Sequence, residues 1–563
     1  MNILKILLLF ISEYKLTVII YIICTLLSFP LESIVVPQIY SHFFEVLNIN
    51  TKINIFIKYF VMIVILLVIV NITNVYTTYI ESYMIPNLNE YIINYIFKNL
   101  LKKYENSYGD IELGKITTRI TTIPQYLKAI ITDFCIWVFP RALAIIIINI
   151  YFFILNWKLG LISTILVSIF LYFNYYYFIK CSVHSNERHI LFEEKNQDTQ
   201  DKLSNSYSIY STGSVNKEIA AYSNNTKIYT NKFKENLYCL NNVYIITSLL
   251  IIILFVILNS TAVYLFMNKE LSYTNLIAIF ITVIYYIPCI VTINNTMPDI
   301  IQYYGSLSAV DDFVEDLYKI DMLNKKKEKK ENNEEKILLN IDKGNIIINN
   351  LTFGYKKNEN IFNNFYLTIK DKEKVAIIGL SGNGKSTLIK LIMGYYKIDD
   401  NMIYINGKDI NNYSLNDLRK QISYVNQNNK LFNLTIIENI QYGNNVSREE
   451  IINLCNEIKI DNIFKNLKNG IDTICGIEGN NLSGGQRQII HILRCICQKN
   501  KIVILDEPTS AIDKENTINV MKAIERISKN STLILITHDD SILSIVNRII
   551  TLDSGKIIDD SYK

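Results

Sequence analysis

The sequence predicts a multidomain chain: an all-α bundle of six membrane-spanning helices over residues 1–323, a charged linker over 324–336, and an α/β domain over 337–563. Three observations predict it. Six apolar stretches, each near the ~20 residues that a bilayer core requires, fall in the first half of the chain. From Ile337 onward the pattern changes to short β-rich runs alternating with helical ones. Between the two stands NKKKEKKENNEEK, Asn324 to Lys336, which cannot bury a core and reads as a solvated linker.

The stretches run about Leu16 to Val36, Ile55 to Val75, Ile136 to Leu155, Leu159 to Ile179, Val243 to Met267 and Leu276 to Ile293. Half of all residues are apolar and 19% are charged, against roughly 25% charged in soluble domains, and mean hydropathy is +0.19. A purely cytosolic enzyme is a poor fit. The net charge of +4 is small for 563 residues, and the basic residues flank apolar runs, which points to membrane orientation rather than nucleic-acid binding. Lys and Arg crowd the segments after the second and fourth spans, from Lys98 to Lys128 and from Lys180 to Lys234. Those long loops are expected inside, as helical continuations of the spans, with both termini cytoplasmic. The short connections with Lys52, Lys158 and Lys269 face outward. A cleaved signal peptide is the alternative at the N-terminus, but Glu13 and Lys15 interrupt a short apolar run. Residues 1–12 are better read as a helix lying along the inner membrane surface. The nine cysteines, at 24, 135, 181, 239, 289, 455, 475, 495 and 497, show no ladder of paired spacings and read as ordinary buried thiols.

In the α/β part, the strand-like Val375 to Ile378 leads into Gly379-Leu380-Ser381-Gly382-Asn383-Gly384-Lys385-Ser386-Thr387, followed by a helix-like run. This is the phosphate loop G-x-x-x-x-G-K-[ST]. Its glycines let backbone N–H groups close around phosphates, Lys385 reaches the terminal phosphates, and the Ser386 hydroxyl can ligate Mg²⁺. ATP or GTP binding follows. A second apolar strand, Lys501 to Leu505, ends in Asp506-Glu507, placing one acid to hold the metal and the next to polarise water.

Between these motifs stands Leu482-Ser483-Gly484-Gly485-Gln486, which resembles the signature sequence of the ATP-binding cassette (ABC) proteins, specifically of exporter half-transporters. The resemblance implies a P-loop NTPase cassette that binds ATP with Mg²⁺. It also implies a dimer, in which the helix opened by Ser483 touches the γ-phosphate held by the opposite subunit. Further residues match the family's order. Tyr355 resembles the aromatic that stacks on adenine, Gln427 the glutamine that senses Mg²⁺, Asp513 a residue of the loop crossing the dimer interface, and His538 the histidine at the γ-phosphate. Gly114 to Arg119, Asn156 to Leu159 and Glu218 to Tyr222 are similar to exporter membrane-domain segments. The resemblance covers nearly the whole chain, more strongly over 337–563. One departure stands out: Ile477, in Gly476-Ile477-Glu478-Gly479, replaces a glutamate that would contact the cytoplasmic loops.

The resemblance therefore implies ATP-driven export, with Glu507 and His538 catalytic, and tyrosines such as Tyr175 to Tyr177 and Tyr285-Tyr286 suit an amphipathic cargo as well as interfacial anchoring. The expected partner is a second half-transporter, as a homodimer first and a heterodimer as the alternative. Membrane lipid and a small-molecule, lipid or peptide cargo complete the partners, and no nucleic acid is expected. An ATP-gated channel or regulatory subunit and a soluble cassette ATPase are the competing classes. Intact Glu507 and signature argue against the first, and the six spans against the second. Charged residues inside spans single out Glu32 and Arg141 as cargo candidates.

Overall fold

The computed structural model describes residues 3–31, 35–47, 53–106, 112–331, 341–356, 359–427, 430–510, 512 and 514–563. The chain divides into two compact units, Met1–Lys103 with Asp110–Glu328, and Tyr104–Gly109 with Lys329–Lys563.

The first unit is helical throughout. Helix α1 (Ile3–Glu13) bends by 91° into α2 (Lys15–Pro30), the geometry expected of a surface helix that turns into a span. The first expected span begins as α2, which ends at Pro30, and α3 (Val36–Leu47) follows it. Glu32 lies outside the described residues. The next helices are α4 (Ile53–Lys103), α5 (Leu113–Thr132), α6 (Phe139–Leu155), α7 (Trp157–Ser204), the short α8 (Ser206–Ser211), α9 (Val215–Met267), α10 (Tyr273–Ser308) and α11 (Asp311–Glu331). A π-helical segment, Asp133–Val138, joins α5 to α6. At ~1.5 Å per residue, the 51 residues of α4 and 53 of α9 extend roughly 75–80 Å, more than twice a bilayer core. The spans thus continue as helices well past the membrane. Among the described residues, five helical stretches are long and apolar enough to cross a bilayer, and up to six if the bent α1–α2 pair is one span.

The bundle packs on an apolar core centred on Phe152, Tyr286 and Leu258. Tyr286, fully buried, places its hydroxyl 2.8 Å from Asn149 and 3.0 Å from Ser163, so its polar end is satisfied where water is absent. The α6/α7 turn and the α9/α10 turn lie at one end of the bundle, joined by a Lys158–Glu270 ion pair of 2.8 Å.

Two features depart from the sequence reading. Cys181 on α7 and Cys239 on α9 form a disulfide, with Cα atoms 5.7 Å apart; they are not free thiols. The pairing spans 58 residues and arises because two long helices run side by side, which spacing along the chain does not reveal. In addition, α11 runs through Asn324 to Glu331, so the first part of the charged run is helical. Lys and Glu are strong helix formers when exposed, and Lys325 pairs with Asp321 one turn back at 2.9 Å.

The second unit holds two sheets. One is antiparallel, with strand order β2-β1-β4-β5, built from β1 (Ile346–Phe353), β2 (Phe362–Ile369), β4 (Ile403–Ile405) and β5 (Lys408–Asp409). The other has the order β10-β9-β3-β8-β7-β6, from β3 (Lys374–Ile378), β6 (Ile422–Val425), β7 (Ile502–Asp506), β8 (Thr532–Ile536), β9 (Arg548–Asp553) and β10 (Lys556–Tyr562). All neighbours in it are parallel except the β9–β10 edge pair. Strands β7 and β8 are buried at every position, as central parallel strands covered on both faces must be. Alternate residues serve opposite faces: Ile504 and Ile377 join the core under the antiparallel sheet, while Val503, Leu505 and Ala376 join the core under the helices. Those helices are α14 (Ile436–Gln441), α15 (Arg448–Glu457), α16 (Asp461–Lys465), α17 (Gly484–Gln498) and α18 (Lys514–Ile527), whereas α12 (Lys385–Ile392) and α13 (Leu415–Lys420) pack into the first core.

Candidate active site

Ligands of parallel sheets bind beyond the carboxyl ends of the strands, and three neighbouring strands deliver the candidate residues to that edge. Strand β3 runs into Gly379, β7 ends at Asp506, and β8, paired with both, ends at Ile536 just before Thr537 and His538.

The loop after β3 turns only because it is glycine-rich. Gly379 has φ 145°, and a Cβ there would sit 2.2 Å from the Leu552 carbonyl oxygen; Gly384 has φ 94° and caps α12. Lys385 is the first residue of α12. Its ammonium folds back to donate to the carbonyls of Gly379 (2.6 Å) and Leu380 (2.8 Å). It is thereby held over the cradle in which a phosphate would replace those carbonyls. Burial lowers its pKa, and Asp506 and Glu507 oppose that shift. Ser386 and Thr387 follow on the first turn, and Ser381 and Gly382 form the rim. Asn383 is tied down from outside the loop, its amide donating to the Leu552 carbonyl and to Asp553, each at 3.0 Å.

Asp506 is 4% exposed. Burial, and then the charge of Glu507, push its carboxyl up to about 6, against the opposing pull of Lys385 and a hydrogen bond with Ser386. This carboxylate and the Ser386 hydroxyl, already bonded to it, are the hard oxygen donors that suit Mg²⁺, which is usually held by one or two carboxylates with phosphate and water. Gln427, which could add an amide oxygen, lies exposed two residues beyond β6. Among the described residues no group of three His, Cys, Asp or Glu could hold a metal by itself.

Glu507 adopts φ 51°, a left-handed conformation unfavourable for a side chain of this kind. Its backbone is held on both sides: its N–H donates to the Ile536 carbonyl at 2.8 Å, and its own carbonyl accepts from the Gln488 amide and from the Ser510 hydroxyl at 3.2 Å. The result points the carboxylate toward His538, whose Nε2 is 3.8 Å away. Tyr355 reaches the same loop, with its hydroxyl 3.1 Å from Thr387 Oγ1 and its ring edge-on to Tyr396 at 5.1 Å.

The signature residues form a second locus. Ser483 caps α17 through a reciprocal capping box, its hydroxyl accepting from Gln486 N (3.2 Å) and its N–H donating to Gln486 Oε1 (2.9 Å). The N–H groups of Gly484 and Gly485 then face outward at a helix N-terminus, a setting that favours anions. They line a cleft of about 560 Å³ with Asn462, Ile463 and Asn519, and no residue of the phosphate loop lines it. Asp513 lies outside the described residues. Ile477 is 72% exposed, and the neighbouring Glu478 pairs with Lys430 at 2.7 Å.

The structure thus brings together Tyr355, the phosphate loop, Asp506, Glu507 and His538, and sets Ser483 to Gln486 apart. Sequence reasoning missed Gln488 and Tyr396. For Gln488 the signal was available: it lies two residues past the signature, buried, on a helix whose apolar face is otherwise Ile and Leu. Sequence reasoning also missed Arg419, which donates to the carbonyls of Met393, Gly394 and Glu105 within the second unit.

Fold and site together define a phosphate-loop nucleotide-binding domain fused to a helical membrane domain. The family model "ABC transporter transmembrane region" matches residues 6–287 and the model "ABC transporter" matches residues 362–510. The chain belongs to the ABC transporters, with the family's transmembrane region and its ABC transporter domain in one polypeptide. It is 37% identical over 220 residues to "Iron-sulfur clusters transporter ATM1, mitochondrial" of Candida albicans, covering 38% of this chain and 29% of that protein. It is 38% identical over 219 residues to "ATP-dependent lipid A-core flippase" of Idiomarina loihiensis, covering 38% of each. These matches span well under half of either relative. A solved structure of a bacterial Atm1-family ABC exporter with ATP bound superposes with a TM-score of 0.84 at 20% identity, covering 98% of this chain and 96% of that one, and shows the shared fold.

Proposed function

We propose that the chain is half of a dimeric exporter, in which two copies clamp ATP and use its hydrolysis to turn a membrane cavity outward and expel an amphipathic cargo. The observation that carries this reading is the separation of the two nucleotide loci within one unit. The signature helix opens a cleft containing no phosphate-loop residue, so a nucleotide held by Lys385 meets a Ser483 helix only when a second copy supplies it. A homodimer suffices, because each copy carries the residues of both loci.

In this reading Tyr355 stacks on adenine. The loop from Gly379 to Thr387 cradles the phosphates, and Lys385 leaves the Gly379 and Leu380 carbonyls for the terminal phosphate. Ser386, Asp506 and Gln427 would hold Mg²⁺, which would supply positive charge against that of the phosphates. Glu507 polarises the attacking water, and His538 contacts the γ-phosphate. The partner's Ser483, Gly484, Gly485 and Gln486 close the site from the other side, with Asp513 at the interface. Both termini and the ATPase domain lie in the cytoplasm, as the Lys- and Arg-rich continuations of the spans favour.

The decisive test is Glu507→Gln in the full chain reconstituted into lipid. The expected outcome is retention of ATP with phosphate release reduced by at least a hundredfold; near-normal release would remove Glu507 from the role. ATP-dependent uptake of a fluorescent amphiphile into inside-out vesicles separates a pump from an ATP-gated channel, which would not concentrate it.

A further inference from the structure

Two cavities of the membrane unit lie one beyond the other along a single stripe of α4. An apolar slot of about 470 Å³ is walled by Leu7 and Phe10 of α1, Val18 of α2, and Ile80, Met84 and Leu88 of α4, and its wall exposes no polar atom. Glu81 lines it as well, but its Oε1 is turned to the Tyr21 hydroxyl at 3.0 Å. A pocket of about 460 Å³ continues the stripe, lined by Tyr91, Tyr95 and Asn99 of α4 together with Glu13 and Tyr14 at the bend between α1 and α2. From Ile80 to Asn99 the steps are three or four residues, so these side chains share one stripe of the helix. The rings of Phe10, in the slot, and Tyr91, in the pocket, have centroids 5.6 Å apart. They form the junction.

The pocket is charged and only partly satisfied. Asp321 is taken: Lys325 pairs with it at 2.9 Å, and the Tyr95 hydroxyl lies 3.5 Å away. Glu13, Glu90 and Lys98 also line the pocket and make no ion pair among the described residues. Asn99 is 1% exposed; its Nδ2 donates to the Tyr95 carbonyl at 2.9 Å, while its Oδ1 has no partner among the described residues. A buried acceptor without a donor is unfavourable, so the pocket is complete only with a ligand that brings N–H or O–H groups. The depth is that of lipid heads, because Glu13 and Tyr14 stand where the surface helix α1 turns by 91° into α2. Met84, in the slot, lies seven residues from Tyr91, or ~10 Å, within the ~15 Å half-thickness of a hydrocarbon core.

We propose that pocket and slot together hold one membrane lipid with a primary-amine head, of the phosphatidylethanolamine type, drawn from the leaflet along which α1 lies. The lipid is a resident ligand and not the cargo, so the site goes beyond the exporter reading, and it lies wholly within the membrane unit. Its ammonium sits against Glu13, Glu90 and Asn99 Oδ1, three acceptors for three N–H bonds, beside the stacked rings of Tyr91 and Tyr95. Lys98 takes its phosphate, and one acyl chain lies in the slot beneath α1. The acceptors select the head. A quaternary ammonium has no N–H to give Asn99, and an anionic head meets two carboxylates with one lysine. The slot selects a chain, because a wall with no polar atom gains from each methylene and a chain-free amine forgoes that gain.

The experiment titrates the full chain, delipidated in detergent, with defined lipids and counts bound lipid by native mass spectrometry. The probes carry identical dioleoyl chains: phosphatidylethanolamine, its N-methyl and N,N-dimethyl derivatives, phosphatidylcholine and phosphatidylglycerol. The expected result is one saturable ethanolamine lipid per chain, bound about tenfold more tightly than the choline or glycerol lipid, with affinity falling stepwise as methyl groups replace N–H. Chain-free glycerophosphoethanolamine in about a hundredfold excess is expected to displace none of it; displacement at parity would give the pocket to a soluble amine and overturn the lipid. Glu13 and Glu90 are exposed, so the double variant Glu13→Gln, Glu90→Gln can fold, and it is expected to lose the ethanolamine preference while binding the choline lipid as the parent does. Equal binding of the head types by the parent protein overturns the proposal whether or not the variant folds. Occupancy is expected to be unchanged after incubation with ATP; ATP-dependent loss of the bound lipid would make it cargo and overturn its residence. ATP turnover by the same preparation is read separately, so its failure would count against the exporter reading and leave the lipid selectivity standing.

Discussion

His491 lies on α17, the helix that Ser483 caps, and it makes the ATPase domain measurably acid-sensitive. Burial, and then the nearby charge of Arg494, lower its pKa from 6.5 to about 4, against a backbone hydrogen bond at Lys430 that favours protonation. Its Nε2 finds no hydrogen-bond partner in the buried site. The unfolded chain takes up a proton near pH 6.5, while the folded one resists until about 4, so stability is full above 6.5 and is lost as pH falls toward 4. The full gap of about 2.5 pH units is worth roughly 3 kcal/mol, most of which is gone by pH 4.5. For a domain of this size that is a Tm loss on the order of 5–10 °C. Glutamine cannot titrate, so His491→Gln removes this component and no other. Thermal unfolding of parent and variant is compared at pH 7.5 and pH 4.5, and only the difference of differences is read, because other groups titrate in both proteins. The variant is expected to lose several degrees less than the parent across that interval. Parallel pH profiles would show that His491 is solvated or paired when protonated, and the reasoning would fail.

Two further substitutions test the architecture. Gly379→Ala forces a Cβ against the Leu552 carbonyl oxygen at 2.2 Å, with φ at 145°; nucleotide affinity is expected to fall at least tenfold, and calorimetric ATP binding at the parental level would show that the loop can move aside. In the membrane unit, Arg119 grips Glu193 through two bonds of 2.8 and 2.7 Å, and that carboxylate is nearly buried. Burial opposes ionisation of Glu193, but the His189 ring, 3.6 Å away, and the hydrogen bonds from Arg119 hold its carboxyl below the usual range. Arg119→Gln should therefore destabilise the unit by about 3–5 kcal/mol at neutral pH, with recovery as pH falls and Glu193 is neutralised. A Tm change of less than one degree at pH 7.5 would show that water replaces the guanidinium.

How much of this was legible in the sequence depends on whether the chemistry is local. The phosphate loop is readable because its nine residues must be contiguous to wrap one phosphate, and Asp506-Glu507 because a strand end delivers both acids together. The contacts that stabilise the site are not local. Asn383 is held by Asp553, 170 residues away, and Glu507 by Gln488 across a helix–strand packing that no spacing rule describes. The charges of the membrane unit were half legible: Arg141 stood out as a charge inside a span, but Glu81 fell six residues beyond the expected end of the second span, where an acid is ordinary. Only the continuation of α4 to Lys103 brings it beside Tyr21. The disulfide between Cys181 and Cys239 was hidden for the same reason.

Helix α17 links the two nucleotide loci more tightly than the motifs alone imply. Its N-terminus carries the Ser483 cap, which in the proposed dimer faces a nucleotide held by the other copy. Five residues later, Gln488 holds the carbonyl of Glu507 in its own copy, fixing a residue whose left-handed backbone costs about 1–3 kcal/mol to maintain. A helix of 15 residues, closed by a capping box, moves as one body over so short a distance. Any displacement of Ser483 toward the partner's phosphate therefore pulls on the restraint that aims Glu507 at its own. Clamping at one site and alignment of the base at the other become a single motion, so the two sites of a dimer would fire in a coupled way without a longer path of communication between them.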